Sequence, residues 1–571
     1  MKNFPLYKER QITSIKDMFK GSAQMFGDKY AFLEKTKRGG EYEGITYKQA
    51  YKDMTAFGTA LLNMGLADKK VAIIGNASYK WAITYLSTVN GKSVVVPIDK
   101  ELPAEDIENL LNMSGASCVV YIGKFADDMK AIKARNEKLE YLINMNLEAS
   151  TDDEKAWTDV LAEGQKAVDE GSTEFENVEI DVDKMQILLF TSGTTSAAKG
   201  VMLSHKNIAT DLIAMCSMFL ITEKDVFLSV LPIHHTYECT CGFLCPLYKG
   251  ATIAYAEGLK YIQKNLQETH ATIMLGVPAL YEAFYKRIWA AAKKSGQDVK
   301  LKKGLKISNA LLKVGIDVRR KLFSSIHDNF GGNLKAFISG AAAINPEVSK
   351  GFRALGIHFI QGYGITECSP IVSLNRDRYF KDEAAGLPLP CLEVTILDKG
   401  DDGIGEIACK GDSVMLGYYN NPEATAEAFE GGWFHTGDLG YMDEDGFVHI
   451  TGRKKSVIVT KNGKNIYPEE LESLIDNSPY VLESLVYGED DDESGETILC
   501  ALVVPNFEYI KSVHGDDFSK DDIKAKVEEV VKAVNERNPL YKYIRKYEVR
   551  ENEFAKTTTK KIKRFVEIPK K

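Results

Sequence analysis

Short runs of Val, Ile and Leu recur through the first 280 residues, each bounded by Gly, Asn or Pro. They are KVAIIGN (70–76), SVVVPI (93–98), ASCVVYIG (116–123), QILLF (186–190), ATIAYA (251–256) and ATIMLGVP (271–278). Their length and β-branched content predict buried strands. The segments between them, such as YKQAYKDMTAFGTALLNMG, carry apolar residues at helical spacing and end in Gly, which predicts helices. Continuous apolar strands alternating with helices imply an α/β fold with a largely parallel sheet covered on both faces.

From about residue 390 the pattern changes to strand and turn. LEVTILDKGDDGIGEIACKG and GFVHITGRKKSVIVTKNG have Gly- and Asp-rich turns at 403–406 and 442–446, as in an antiparallel region. Beyond 455 follow a helix near YPEELESLI, a strand ILCALVVP (498–505) and a helix DDIKAKVEEVVKAVNERN. In that last helix Ile523, Val527, Val530, Val531 and Val534 form one apolar stripe. The chain of 571 residues exceeds a single core, which stops growing near roughly 250–300 residues. The expected division is an N-terminal domain, 1–453, and a small α+β domain, 454–571, joined near Arg453–Ser456.

Composition narrows the function classes. At 44% apolar and 27% charged the chain is an ordinary globular protein. Its longest apolar runs, such as LIAMCSMFLI (212–221), reach about half of the roughly 20 residues that span a bilayer. The start, MKNFPLYKERQ, has no apolar core of a secretory signal, so a cytoplasmic location is expected. A net charge of -9 argues against nucleic-acid binding, which needs a basic face. Nine scattered cysteines fit reduced thiols. The cluster HHTYECTCGFLC (His234, His235, Cys239, Cys241, Cys245) could in principle ligate zinc, but its spacing and apolar surroundings favour buried thiols.

The chemistry begins at TSGTTSAAKG (191–200), directly after ILLF. It is not a Walker loop, because Ala198 precedes the lysine where that motif has glycine. A strand ending in Gly, Ser and Thr still gathers backbone N–H groups and hydroxyls at one point, and Lys199 adds a positive charge. Taken alone, a phosphate loop competes here with a plain surface turn. Seven further motifs follow in order: LPIHHTYE (231–238), QGYGITE (361–367), GEIACKG (405–411), GYYNNPEAT (417–425), GWFHTGDLG (432–440), ITGRKKSVIVTKNGKNIYPEELE (450–472) and KTTTKKIKR (556–564). Together the eight resemble the core motifs of the adenylate-forming (AMP-binding) superfamily, over nearly the whole chain from ITYKQ near residue 45 to 565.

That resemblance implies a large N-terminal domain with two helix-covered sheets and a small antiparallel β region, followed by a small mobile α+β lid. It implies an AMP-forming acid–thiol ligase that joins a carboxylate to AMP, releases pyrophosphate and passes the acyl group to coenzyme A. Thr191, Ser192, Gly193, Thr194, Thr195 and Lys199 would hold the ATP phosphates. Glu367 would bind Mg²⁺, and with Thr366, His235 and Lys561 it would form the catalytic set. Asp438 and Arg453 would take the ribose. Gly340, Ala341 and Ala342 would face the adenine, with Gln361, Gly362, Tyr363 and Gly364 completing the nucleotide site and Tyr363 stacking on the base. Lys561 would bridge the attacking carboxylate and the α-phosphate, with Lys560 as the alternative register. Lys455 would be the hinge, and rotation there would bring Gly463 in for the CoA step.

The sequence departs from the family pattern in four places: Ser196 for glycine, Ala198 for proline, Ala555 for proline and Lys560 for the glycine before the motif lysine. A left-handed backbone at 560 would cost on the order of 1–2 kcal/mol with lysine in place of glycine. The long helical stretch from Tyr281 to Gly332 resembles the long-chain fatty-acid branch, most of all its bacterial CoA ligases. Tyr237 and Phe243 beside His235 would line the acyl site. Its basic face (Lys302, Lys303, Lys306, Lys313, Arg319, Arg320, Lys321) suits either solvent or peripheral contact with anionic membrane, with solvent favoured. The expected partners are a small carboxylic acid, ATP and CoA; the oligomeric state is unreadable from sequence. The competing readings are an acyl-AMP ligase that loads a carrier protein, an aryl- or other carboxylate–CoA ligase, and a nucleotide-binding protein without turnover.

Overall fold

The computed structural model describes residues 4–191, 198–460, 464–490, 497–515, 518–556 and 561–569. Among the described residues each of the six predicted strands is present: Lys70–Ile74, Val94–Ile98, Cys118–Tyr121, Thr252–Tyr255 and Ile273–Gly276 are shorter than expected by one or two residues at one or both ends, and Met185–Thr191 is longer by one at each end. They belong to two large sheets rather than one.

In the first sheet, Met185–Thr191, Val94–Ile98, Lys70–Ile74, Cys118–Tyr121 and Tyr141–Asn144 run parallel. Lys199–Ser204 returns antiparallel beside Met185–Thr191, and Gly417–Tyr418 adds an edge far removed in sequence. The second sheet is parallel through Tyr30–Glu34, Thr252–Tyr255, Val226–Ser229, Ile273–Gly276, Ala336–Ser339 and His358–Gly364. Its edges are antiparallel. The expected antiparallel region follows, as Leu392–Leu397, Gly405–Gly411, Trp433–Met442 and Val448–Arg453.

Helices between the sheets are buried on nearly every side, and their polar residues are satisfied internally. In Tyr79–Asn90, Thr84 and Thr88 hydroxyls donate to the carbonyls of Lys80 and Thr84 at 2.7 Å each, and Ser87 donates to Met54 O at 2.8 Å. This back-bonding lets a helix containing Thr and Ser enter an apolar core. In the C-terminal domain the helix Lys520–Glu536 is closed by a Ser519/Asp522 capping box. It lays Val527, Val531 and Val534 on the sheet formed by Val481–Asp490, Thr497–Pro505 and Ile544–Val549, with Val530 half-buried at the margin and Ile523 buried in its first turn. No helix among the described residues is long and apolar enough to cross a membrane.

Helices Tyr47–Asn63 and Trp157–Asp169 meet backbone to backbone. A Cβ at Gly164 would lie 1.8 Å from Ala56 O, so the contact exists only without a side chain there. Overpacking of this kind costs about 1–3 kcal/mol. Gly164→Ala is therefore expected to lower the thermal unfolding midpoint by on the order of 5 °C, measured by calorimetry; an unchanged midpoint would mean that the helices separate freely.

Candidate active site

The hairpin Trp433–Met442/Val448–Arg453 sets Asp438 directly across from Arg453. Opposite Gly405–Gly411 the pairing slips, with Glu406 against Leu439 and Ala408 against His435. The surplus residues form a bulge in which Gly437 takes φ +71, a left-handed value that glycine adopts without strain. The bulge turns the Asp438 carboxylate inward, where it is 3% exposed. One oxygen accepts from Arg453 Nε at 2.8 Å and the other from the Tyr363 hydroxyl at 2.6 Å. Each oxygen has a second lone pair, so two more donors, such as a pair of vicinal hydroxyls, can still be accepted.

Tyr363 stands near the end of the parallel strand His358–Gly364. Gly276, Ser339 and Gln361 lie side by side in the adjoining register, so the site sits at the carboxyl ends of parallel strands, where such sheets bind ligands. Gln361 donates its amide to Asp382 O at 2.7 Å, and its backbone carbonyl accepts from Asn375 N–H at 2.9 Å, so the residue is held on both sides. At Gly364 a Cβ would lie 2.2 Å from Pro370 O, and at Gly362 one would crowd Leu374 and Ser373. These glycines let the chain fold back tightly and present Thr366 and Glu367. The hydroxyls of Thr366 and Thr236 are 3.3 Å apart.

Glu367 is held by residues distant in sequence. Met415 N–H donates to Glu367 O at 2.8 Å, and the Tyr418 hydroxyl donates to Glu367 Oε1 at 2.9 Å. Tyr418 pairs with Val201 on the strand that begins at Lys199, and Lys199 Nζ lies 4.7 Å from the centre of the Tyr418 ring. One phenol thus joins the end of the hairpin Met185–Thr191/Lys199–Ser204, where Thr191 faces Lys199, to the acidic residue that follows His358–Gly364 in the second sheet. Ser192, Gly193, Thr194, Thr195 and Ser196 lie outside the described residues. Ala198 packs against the first sheet's core.

On the opposite wall, His235 and Thr236 precede a π-helix, Tyr237–Leu244, an irregularity frequent at functional sites. Burial, with smaller contributions from His234 and Lys561, lowers the His235 imidazole to about 4; it is neutral at physiological pH and its Nδ1 accepts from Tyr237 N–H at 3.2 Å. The Tyr237 hydroxyl donates to Ile338 O at 2.9 Å, and its ring fills the space over Gly340, where a Cβ would lie 2.9 Å away. Ala341 and Ala342 are open to solvent, with Ala341 at φ +73. A left-handed alanine is strained, and such residues cluster at binding sites. Phe243 is core: its ring packs edge-on to Trp81 and Tyr85. Cys239, Cys241 and Cys245 are buried thiols, and among the described residues no three His, Cys, Asp or Glu side chains are grouped to hold a metal. A narrow apolar cavity beside Thr236 is lined by Tyr85, Ile187, Leu189, Ile208 and Cys239.

The C-terminal domain contributes Lys561. Burial lowers its ammonium pKa and Arg453 lowers it further, against the opposing pull of Asp438 and Glu367. The residue is open to solvent, and its charge senses both acidic groups of the site. The flanking segment is pinned by a Lys556–Ile562 bridge and by Lys563 N–H donating to Ala555 O at 2.8 Å. Alanine at 555 has a use: its N–H donates to Glu567 Oε1 at 2.6 Å, a bond proline could not make. Lys560 and Gly463 lie outside the described residues. Lys455 is exposed in the turn Lys454–Ser456. Its neighbour Lys454 binds Glu406 Oε2 at 2.7 Å, and Glu406 also accepts from Gly437 N–H at 3.1 Å and contacts His435 at 3.0 Å. Burial raises the Glu406 carboxyl, but His435 and Lys454 outweigh it and hold it below the usual range.

Residues 19–419 match the AMP-binding enzyme family and residues 455–566 the AMP-binding enzyme C-terminal domain, so the chain belongs to the AMP-binding enzymes. Within that class it is an adenylate-forming acyl-CoA ligase, for which ATP and CoA are the fitting co-substrates. It is similar to long-chain-fatty-acid–CoA ligase 1 of Cavia porcellus, 30% identical over 545 residues, which cover 89% of this chain and 76% of that protein. It is also similar to the long-chain-fatty-acid–CoA ligase of Salmonella typhimurium, 27% identical over 528 residues, 86% of this chain and 85% of that one. Its fold matches the crystal structure of ATP-bound MatB from Rhodopseudomonas palustris, with TM-score 0.74 and 24% identity over 96% of this chain and 98% of that chain.

Sequence reasoning passed over Tyr418 and Glu406. Both lie in quoted motifs, but their partners are 51 and 48 residues away. Tyr418→Phe keeps the ring under Lys199 and removes only the donor to Glu367. Hydrogen bonds to charged groups contribute about 1.5–3 kcal/mol, so a loss of about tenfold or more in kcat/KM is expected in acid-dependent pyrophosphate release. Unchanged kinetics would show that Glu367 is held by other contacts.

Proposed function

We propose that this acyl-CoA ligase activates long- or medium-chain fatty acids in the cytoplasm, through an acyl-adenylate. The observation that carries the reading is the meeting of Lys561 from the small domain with Glu367, Asp438, Arg453 and His235 from the large one. The long-chain preference is supported by the names of the relatives.

ATP would lie with its ribose hydroxyls on Asp438 and Arg453, its base between Tyr363 and the Gly340–Ala342 turn, and its phosphates along residues 191–199. An oxygen of the fatty carboxylate attacks the α-phosphorus, and the bond to the bridging β-oxygen breaks, releasing pyrophosphate. Both reactants are anions, so the site must supply positive charge and alignment. Lys561, whose ammonium feels the charges of Arg453, Asp438 and Glu367, would bridge the carboxylate and the α-phosphate. Neutral His235 suits this step, since an imidazolium would pair with the carboxylate and blunt its attack. Glu367 and the Thr366 and Thr236 hydroxyls form a small hard-oxygen set that fits Mg²⁺, which commonly takes one or two carboxylates plus phosphate oxygens. When bound, the ion neutralises phosphate charge.

In the second step the CoA thiolate attacks the acyl carbonyl, and AMP departs with the electron pair of the C–O bond. The proposed division is 1–453 and 454–571, turning about Lys455. The Lys454–Glu406 pair supports that pivot, because it ties the preceding residue to the large domain while Lys455 stands free of the core. Gly463 is assigned to the CoA step from its motif alone.

Purified enzyme with ATP, Mg²⁺ and free acids from C4 to C18, with and without CoA, is expected to release pyrophosphate and form thioester best with the longer acids. Lys561→Ala should lose about a hundredfold or more in pyrophosphate release, and Glu367→Gln should raise the Mg²⁺ concentration needed. Pyrophosphate without thioester would transfer the reading to a carrier-loading enzyme. Turnover with aryl acids alone would overturn the fatty-acid assignment.

A further inference from the structure

Helix Pro468–Asp476 belongs to the small domain and touches the large one at both ends. At its start Glu469 lies against the backbone of Gly452, where a Cβ would come within 2.7 Å of Glu469 Oε2, and the Tyr467 hydroxyl donates to Asp402 Oδ2 at 3.4 Å. At its end Asn477 Oδ1 accepts from Asn345 Nδ2 at 2.6 Å. Asn345 is the N-cap of Pro346–Ala354 in the large domain, and its Oδ1 accepts from Glu347 N–H at 2.9 Å. A helix terminus of one domain is thereby tied to a helix terminus of the other.

The residue types fit this tie better than they fit either cap. An N-cap needs an acceptor, which Ser, Thr or Asp supplies as well as Asn; the amide adds the donor that reaches across. Asn after a helix commonly serves a left-handed turn, but Asn477 has φ -65 and ψ -16, so its backbone calls for no special residue. Position gives the contact leverage. Gly452 lies three residues before Lys455, so the start of the helix moves least when the domain turns there. Nine residues of helix, roughly 14 Å, carry Asn477 away from that joint. Between the two ends Glu472 accepts from Arg564, three residues after Lys561.

We propose that Asn345 and Asn477 are positioning residues of adenylation. Their hydrogen bond latches helix Pro468–Asp476, and with it the Lys561 segment, in the orientation that serves the first half-reaction. The inference rests on the reading of Lys561 as the adenylation lysine.

Asn345→Ser keeps a capping oxygen but is too short to reach Asn477, and Asn477→Ala removes the acceptor from an exposed residue. Two half-reactions are followed in the full chain: acid-dependent exchange of pyrophosphate into ATP, and thioester formation from added acyl-adenylate and CoA. Each variant is expected to lose about fivefold in exchange and nothing in thioester formation. The two combined are expected to lose no more than either alone, as for one shared contact. Asn345→Asp is expected to keep the wild-type rate, because the Asn477 amide can turn its NH2 to the carboxylate. Trypsin cleavage after Lys454, which Glu406 holds to the large domain, reads domain orientation with no acid present. It is expected to quicken about fivefold in the Ser and Ala variants. The proposal fails if both half-reactions fall together, if the two losses add, or if Asn345→Asp is as slow as Asn345→Ser. It fails equally if exchange and cleavage both stay at the wild-type rates. A wild type that turns over none of the acids overturns the fatty-acid reading instead, and the cleavage rates alone then decide the latch.

Discussion

A carboxylate that is 3% exposed is costly unless its lone pairs are filled, and Asp438 is the point on which the site's geometry rests. Its two partners come from different parts of the fold. Tyr363 belongs to the parallel sheet and Arg453 to the antiparallel hairpin, two residues before the joint to the small domain. Satisfying one buried charge therefore fixes the end of the second sheet, the bulge at Gly437 and the start of the interdomain turn relative to one another. Glu406 reinforces the arrangement from behind, with Gly437 N–H on one oxygen and Lys454 and His435 on the other. The same charge reaches Lys561 through space, so the site is drawn together electrostatically as well as by hydrogen bonds.

The two sheets meet by a second, independent tie. Gly417–Tyr418 extends the first sheet at the edge of Lys199–Ser204, and three residues earlier Met415 N–H holds the carbonyl of Glu367 behind the second sheet. A stretch of four residues thus spans both walls of the cleft. The Tyr418 phenol adds a side-chain path along the same route, its ring under Lys199 and its hydroxyl on Glu367. The cation and the anion that would flank the ATP phosphates share one rigid aromatic spacer with few torsions, a low-entropy way of fixing their separation.

The sequence made the strands legible because each is a short β-branched run stopped by Gly, Asn or Pro, and the register of the parallel core adds little that periodicity does not already imply. Asp438, Arg453, Glu367 and Lys561 could be named because each sits in a motif of distinctive spacing, and the fold brings them into one cleft. What could not be read is pairing at a distance. Nothing local in GYYNNPEAT ties Tyr418 to Glu367, since a two-residue edge strand creates that contact. Phe243 looked like an acyl-site residue because it follows His235 closely, yet the π-helix rotates it into the aromatic core. Nothing in the motif around Gly340 announces that the Tyr237 ring packs against it.

The basic tail shows how a segment's composition can mislead until its partners are known. Read by itself, KTTTKKIKR is a solvated end. In the fold Arg564 places Nη1 against both oxygens of Glu472, at 2.6 and 2.9 Å, while its Nη2 donates to Val486 O; the two ends of one planar guanidinium serve two acceptors at once. Three residues before it, Lys561 is thereby carried on a segment anchored at both ends, by Arg564 on one side and by the Lys556–Glu483 pair at 2.8 Å on the other. Glu472 lies in the helix Pro468–Asp476 and Glu483 in the strand Val481–Asp490, both of the small domain. The lysine is consequently fixed to the domain that carries it and not to the cleft it enters. A rigid rotation of that domain would withdraw Lys561 without breaking either anchor, which is what the proposed mechanism asks of a group that serves one half-reaction and vacates the site for the next.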